Sequence, residues 1–250
     1  MKKIMFNDKY GLTEAVLEGR KTMTRRIIPE KYYEHLNAWE NPVIVVPLES
    51  IPDGMTIEEF AKAWSEHTGR MKIIPVKKDS KVELFDARLE LVKNIASFKV
   101  GEVVAVAKAY KDIEEFNPES YEDVMLSDGV ICEASHPYSN LMRSGGWDNK
   151  MFVRAYLMPH QIRITNIRVE RLQDISDEDC FREGVRRWKD CPDCPDVAKN
   201  FPDELYEIPG SWDAYLSPRK AFASLIDKVS GIGTWGRNPW VYVYEFELVK

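Results

Sequence analysis

The sequence predicts an α+β fold built around a small barrel. Runs with strand-like alternation of apolar and polar residues recur along the chain, with short helical segments between them. They lack the regular β–α–β order of a parallel sheet. No repeat, low-complexity tract or linker-like change of composition divides the 250 residues. We therefore expect one domain over 1–250, with insertions at about 30–93, 111–148 and 186–216.

The first elements are a short helix and a strand. Residues Leu12–Glu18 form the predicted helix, with Thr13 as its N-cap and Gly19 at its end. The next residues, KTMTRRII, alternate as a strand that Pro29 ends. One face carries Thr22, Thr24 and Arg26, and the other Met23, Arg25 and Ile27. A helix-to-strand junction is therefore predicted at 20–26, where side chains can converge on a ligand.

The middle of the chain combines an insertion with a buried strand. Within 30–93, Thr56 and Glu59 have the spacing of a capping box that opens a helix. Two strand-like runs follow, at 71–76 and 81–92. After the turn at Gly101, residues Val103–Ala107 are apolar enough for a buried strand.

Five more elements are predicted in the second half. Strands are expected at Lys150–Met158 and Gln161–Leu172, and the slip of the alternation at Asn166 indicates a β-bulge. Ser176 caps a short helix that ends near Gly184.

A longer helix then begins at Ser217-Pro218, with Gly231 beyond its end, and the last strand follows Asn238-Pro239.

The charge pattern indicates a local rather than a general site for anions. The net charge is −6, which argues against a protein that coats DNA indiscriminately. Four basic residues nevertheless lie within seven positions: Arg20, Lys21, Arg25 and Arg26. Such a cluster on an acidic protein favours a focused site for an anionic ligand. The alternative is a solvated basic edge strand.

No run reaches the length of about 18–20 apolar residues that a membrane span needs, and the N-terminal residues lack the apolar stretch of a signal peptide. Four cysteines are too few for a disulfide scaffold. A cytoplasmic protein with reduced thiols and no membrane partner is expected.

Cys191-Pro-Asp-Cys194 is a weak metal candidate, since one such pair is half of a zinc site. A redox dithiol and a plain surface turn are the alternatives.

Two further motifs are ambiguous. Gly231–Gly236 matches G-x-G-x-x-G, but it follows a helix and precedes a strand, the reverse of the dinucleotide-binding context. A flexible turn is therefore favoured. Four aromatic residues, Trp240, Tyr242, Tyr244 and Phe246, share one face of the last strand. They either stack on a base, with Trp240 as a candidate ligand contact, or form a core face.

The segment Gly19–Arg25 carries the most chemistry. A lysine desolvated beside other cations loses its proton more easily and can act as a base. Lys21 could then activate the hydroxyl of Thr24 for attack on a carbonyl, if the turn brings them together. A carboxylate would be needed to orient the ammonium that forms. The alternative is again a basic edge strand.

Four segments in this order resemble the ASCH domain family: GRKTMTRRII, VGEVVAVAKAY, RITNIRVERLQDISDEDCFREGV and NPWVYVYEFELV. The pattern is typical of its prophage-associated and bacterial members. The resemblance covers most of the chain outside the three insertions. It implies a PUA-like β-barrel that recognises RNA or a modified nucleobase or nucleoside in a cleft, without metal or cofactor.

One small bacterial branch of the family hydrolyses N4-acetylcytidine to cytidine and acetate. The resemblance to that branch implies Thr24 as nucleophile, Lys21 as its base and Glu183 as the orienting carboxylate. Arg26 matches the last arginine of the motif G-R-K-T-x-T-x-R. Arg20, Arg25 and Arg26 are further candidate ligand contacts. The alternative function is a non-catalytic module of a prophage or mobile element that binds RNA or another protein.

Overall fold

A computed structural model describes residues 1–33, 36, 44–68, 73–86, 94–116, 139–191, 205–211 and 213–249. In chain order its strands are β1 (Lys3–Ile4), β2 (Met23–Ile27), β3 (Ile44–Pro47), β4 (Ile73–Lys78), β5 (Lys81–Asp86), β6 (Val103–Val106), β7 (Gln161–Arg171), β8 (Arg186–Arg187), β9 (Tyr206–Glu207), β10 (Ala214–Tyr215) and β11 (Trp240–Leu248). Its helices are α1 (Leu12–Leu17), α2 (Ile57–Thr68), α3 (Ser139–Met142), α4 (Asp177–Arg182), α5 (Pro218–Ser230) and α6 (Thr234–Arg237). The predicted α+β class is confirmed.

A five-stranded sheet in the order β1-β6-β7-β11-β2 organises the molecule. Strands β1 and β6 are parallel, and the other neighbours are antiparallel. In the described chain no backbone pairing joins the two edge strands, β1 and β2, so the predicted barrel is not closed. One side-chain contact spans the gap: the Arg26 guanidinium donates to the carbonyl of Met5, just after β1, at 2.6 Å.

The long pair β7–β11 contains the predicted bulge. Glu245 lies opposite Asn166, whereas the next residue, Phe246, lies opposite Ile164. Strand β7 therefore carries one extra residue, Thr165, at the point where its alternation slips. An extra residue of this kind bends a strand and increases its twist.

The principal core fills both faces of this sheet. The aromatic face of β11 belongs to it, since Trp240, Tyr242, Tyr244 and Phe246 are all buried. Helix α5 packs its apolar residues Phe222, Leu225 and Ile226 into the same core. The interpretation of these aromatic residues as a core face is thus confirmed.

The helix boundaries follow from local capping. The side chains of Ser176 and Ser217 accept hydrogen bonds from the amides of Asp179 and Lys220, as predicted, and the Thr56–Glu59 capping box is formed.

The predicted cap at Thr13 is wrong. Helix α1 begins directly after Gly11, and the Thr13 hydroxyl donates instead to the carboxylate of Asp8.

The strand predicted at 150–158 is also wrong. Its residues form two 3-10 turns, 150–152 and 155–157, the first of which is capped by the side chain of Asn149. The apolar residues that suggested a strand, such as Val153 and Met158, pack into a second cluster around Tyr110. The apolar spacing of this segment therefore reflects how a loop packs against the second cluster, and not the hydrogen-bonded pairing of a β-strand.

The segments predicted as insertions contain small elements of their own. Strands β3, β5 and β4 form a three-stranded antiparallel sheet whose apolar residues cluster with those of α2. The two predicted strands here become β4 and β5, and residues 87–92 lie outside the described chain. Strands β8, β9 and β10 form a third sheet. Within the described ranges, no helix combines the length and the apolar composition that crossing a bilayer requires.

Candidate functional site

The backbone on either side of Lys21 is held by two helices. The amide of Lys21 donates to the carbonyl of Ala15 in α1 at 2.8 Å, and the amide of Thr22 donates to the carbonyl of Arg182 in α4 at 3.0 Å. Gly19, with a φ of +73°, makes the turn between α1 and this segment. The start of β2 is therefore fixed against the end of α4, where Glu183 lies.

Lys21 and Glu183 form a buried ion pair. The Lys21 ammonium donates to the Glu183 carboxylate at 2.6 Å and to the Glu183 carbonyl at 2.7 Å. Only 2% of Lys21 and 4% of Glu183 is exposed. Burial lowers the pKa of Lys21 below its ordinary value, and the charge and hydrogen bond of Glu183 oppose this only in part. The amine is thus easier to deprotonate than an exposed lysine.

The chain turns sharply after Glu183. Gly184 has a φ of +108°, a conformation that favours glycine. A Cβ at this position would lie 3.0 Å from the side chain of Leu12. The close approach of α1 to this turn brings Glu183 over Lys21.

Arg25 is the centre of the ion-pair network around this site. Its side chain is fully buried and contacts three carboxylates, those of Glu170 at 2.7 Å, Asp179 at 2.9 Å and Glu183 at 3.2 Å. Burial opposes its charge, but these partners outweigh burial and raise the pKa of Arg25. One Glu183 oxygen thus binds Arg25 while the other binds Lys21. Arg25 holds Glu183 in place and is not free to bind a ligand as a cation.

An outer ring of ion pairs surrounds Arg25. Arg168 on β7 contacts Asp179 at 3.1 Å and Glu245 at 3.3 Å, and Arg182 contacts Glu245 at 2.9 Å. These pairs connect β7, β11 and α4. Glu170 and Asp179 were not among the predicted site residues. For Glu170, the available signal was its position two residues after Arg168 on the polar side of β7.

A cleft of about 300 Å³ opens at the edge of β2. Its polar wall contains Lys21, Thr24, Arg25, Arg26 and Glu183, and its apolar wall includes Phe6, Leu12, Phe222 and Leu225. Because β2 is an edge strand, the cleft reaches side chains from both of its faces. This size lies at the lower end of the range of roughly 300–1,000 Å³ for ligand pockets. Lys21, Thr24, Arg26 and Glu183, predicted as one site, are thus brought together.

Thr24 and Arg26 line this cleft without a carboxylate partner among the described residues. Thr24 is 5% exposed, and its hydroxyl makes no hydrogen bond within the part of the chain that the structure describes. Arg26 donates to the Met5 carbonyl, and its guanidinium lies 6.0 Å from the ring of Phe6. Burial lowers the pKa of Arg26. The Lys21 ammonium lies 5.8 Å from the same ring, so Phe6 is a wall residue that the sequence analysis missed.

The structure places two other predicted contacts elsewhere. Arg20 pairs with Glu18 at 2.6 Å on the surface. The buried ring of Trp240 lies 4.4 Å from the guanidinium of Arg171. Neither residue lines the cleft.

The Gly-rich loop and the cysteines have local structural roles. Asp227 accepts hydrogen bonds from the amides of Gly233 and Trp235, which occupies the donors that a phosphate would need.

Burial raises the pKa of the Cys180 thiol to about 12, so it is a poor nucleophile. Cys191 is also buried, and Cys194 lies outside the described residues. Among the residues described, no group of three or more potential ligands is arranged to hold a metal ion.

Comparisons of the chain with protein-family models, with curated proteins and with solved structures give no match.

Two arginines of the same segment should differ sharply in their contribution to stability. Arg25→Met leaves three carboxylates around a buried apolar side chain, so we expect a loss of about 3–5 kcal/mol. With roughly 2–4 °C per kcal/mol for a chain of this size, the thermal midpoint should fall by about 6–20 °C. The matched control, Arg20→Met, removes one exposed pair and should cost about 0–1 kcal/mol. Equal shifts for the two variants would contradict the assignment of Arg25 to the interior.

Proposed function

We propose that the cleft at the edge of β2 binds a modified nucleobase or nucleoside of RNA and hydrolyses an N4-acylated cytosine. Thr24 is the nucleophile, Lys21 its general base, and Glu183 the carboxylate that holds the lysine. The observation that carries this proposal is the buried ion pair of Lys21 and Glu183 in the wall of an open cleft that also contains the unpartnered hydroxyl of Thr24.

The geometry at the lysine supports its role as a base. Its nitrogen donates two hydrogen bonds, both to Glu183. When the amine is neutral, these two bonds use both of its protons and leave the lone pair at the remaining tetrahedral position. That position is available to accept the proton of a hydroxyl. Burial favours the neutral form, since it disfavours the ammonium.

The reaction then proceeds in two displacements. The Thr24 oxygen attacks the carbonyl carbon of the amide while its proton passes to Lys21. The C–N bond breaks, the Lys21 ammonium returns the proton to the departing N4 amine, and the acyl group stays on Thr24 as an ester. Water, activated by the neutral lysine, attacks this ester and releases acetate and the free hydroxyl.

The family and its barrel belong to the same proposal. The sheet order β1-β6-β7-β11-β2 supports a PUA-like barrel that is open between its edge strands. In this arrangement the cleft occupies the opening, and the Arg26–Met5 contact spans it. The segments that resemble the ASCH family supply β2, β6, β7, α4 and β11. Of these, β2 and the end of α4 carry most of the polar residues of the cleft.

Removal of either reacting group should abolish hydrolysis. With N4-acetylcytidine as substrate and release of cytidine measured by chromatography, Lys21→Ala should lower kcat/KM by about 10²–10⁴-fold. Thr24→Val, which keeps the shape of the side chain, should show no turnover, and Thr24→Ser should restore part of it.

Thr22→Val is the matched control for this experiment. Its hydroxyl accepts a hydrogen bond from Arg182 at 3.2 Å and does not line the cleft, so activity should persist. Thermal midpoints of all variants separate catalytic loss from unfolding. If the wild-type protein binds short RNAs but shows no turnover, hydrolysis is refuted and RNA recognition alone remains as the function. Full activity of Thr24→Val would refute the assigned nucleophile.

The pH dependence of hydrolysis should report the lysine. Because the neutral amine is the active form, kcat/KM should rise with pH, with an apparent pKa below the ordinary lysine value of 10.5. Glu183→Gln removes the charge that raises the pKa of Lys21, while burial and the nearby arginines still lower it. The ascending limb of the residual activity should therefore move to lower pH. A shift to higher pH would contradict the assignment of this limb to Lys21.

A further inference from the structure

A second cleft, of about 440 Å³, lies beside the first and shares Met5, Arg26 and Ile27 with it. The first cleft contains the proposed catalytic groups, whereas the second has no role so far. Its composition is distinctive: three cations, Lys3, Arg26 and Lys31, and four aromatic rings, Tyr32, Phe98, Tyr242 and Tyr244. None of the described residues that line it is acidic.

The cations of the second cleft are not neutralised by carboxylates. Lys3 donates to backbone carbonyls, among them that of Val153 at 3.0 Å, and Arg26 donates to the carbonyl of Met5. The Lys31 ammonium lies 4.9 Å from the centre of the Tyr32 ring. Across the described residues, none of the three forms a salt bridge. On a protein of net charge −6, this is a local positive site that attracts an anion.

The buried residue Tyr244 also lines this cleft. Tyr244 is 1% exposed, and its hydroxyl has no well-aligned hydrogen-bond partner in the described chain, although Ser97 and Phe98 lie near it. A buried polar group without a partner is costly, and a ligand that supplies the hydrogen bond removes this cost. The ring of Tyr244 meets those of Phe98 and Tyr242 at 5.3 and 5.9 Å between centres. Cations and a hydroxyl beside aromatic rings suit a nucleotide, with its phosphate and its base.

Register places this cleft next to the catalytic groups. Tyr244 lies directly opposite Thr24 in the β2–β11 pair, and Tyr242 lies directly opposite Arg26. Side chains at such positions share one face of a sheet. Arg26 therefore lies between the two clefts and is able to contact a ligand in either. Two neighbouring sites that share a cation fit two neighbouring units of one polymer.

We infer that the second cleft binds the nucleotide adjacent to the modified base, so that the substrate is a single-stranded oligonucleotide rather than a free nucleoside. The inference rests on the proposed function for the identity of the first base. Lys31 and Arg26 contact the phosphate, the half-buried ring of Tyr32 packs against the flanking base, and the Tyr244 hydroxyl forms a hydrogen bond with it.

Affinity for a defined oligonucleotide tests this inference. The probe is a fluorescein-labelled hexauridylate with one internal N4-acetylcytidine, and binding is measured by anisotropy in a Thr24→Val background, which prevents turnover. Free N4-acetylcytidine is the competitor. The oligonucleotide should bind at least about fivefold more tightly than the nucleoside, since stacking of one base alone contributes this much. The same sequence in deoxyribose form shows whether the sugar matters.

Three substitutions locate the second site. Lys31→Gln should weaken oligonucleotide binding about fivefold at 0.1 M salt and reduce the salt slope by about 0.7, the effect of one phosphate contact on a single strand. Tyr244→Phe should weaken it about two- to tenfold. The matched control is Lys9→Gln, because the Lys9 ammonium also lies over a tyrosine ring, at 5.6 Å from Tyr10, but outside both clefts. Binding of free N4-acetylcytidine should be unchanged by all three.

The outcomes separate this inference from the proposed function. The inference would be overturned if Lys31→Gln and Lys9→Gln weakened oligonucleotide binding equally, or if the oligonucleotide bound no more tightly than the nucleoside. Neither result would affect the proposed hydrolysis of the nucleoside. Loss of oligonucleotide affinity in Lys31→Gln alone, in a protein without hydrolytic activity, would support the second site and refute only the catalytic proposal.

Discussion

The fold around the site depends on a buried guanidinium. Arg25 lies on an edge strand, where an arginine would ordinarily extend into solvent, yet three carboxylates from β7, α4 and the turn after α4 enclose it. Charges removed from water are tolerated when each has a partner and its hydrogen bonds are satisfied. The network therefore specifies how α4 packs against the sheet. It also fixes Glu183 with one oxygen on Arg25, which leaves the other for Lys21.

This arrangement explains how a lysine in an apolar wall is kept in one position. Desolvation alone would favour a neutral and mobile amine, and a strong ion pair alone would keep it protonated. The structure combines both effects, with burial the larger, so the pKa of Lys21 is lowered while its nitrogen stays fixed by Glu183. Thr24 and Arg26, the neighbours on the other face of β2, lack carboxylate partners and are the groups that remain available to a ligand.

Much of the framework could be predicted from the sequence because it depends on local patterns. Alternation identified β2, β7 and β11, and single side chains such as Ser176 and Ser217 set the starts of α4 and α5. The failures concern distant contacts. Nothing within 20–26 shows that Arg25 is turned inward, because its partners are about 150 residues away in the chain. Whether the sheet closes into a barrel likewise depends on the distance between its edge strands, β1 and β2. The apolar residues of 150–158 resembled a strand because packing under a loop produces a similar spacing.

A search for an acylated enzyme tests the central claim, that Thr24 is the group that Lys21 activates. Wild-type protein would be mixed with excess N4-acetylcytidine and quenched in acid on the millisecond scale, and its peptides would be mapped by mass spectrometry. We expect an acetyl group on the peptide that contains Thr24, and we expect it to be absent in Lys21→Ala and in Thr24→Val. Two results would contradict the central claim: turnover by the wild-type protein with no acetylated peptide at any time, or an acetyl group on a residue other than Thr24.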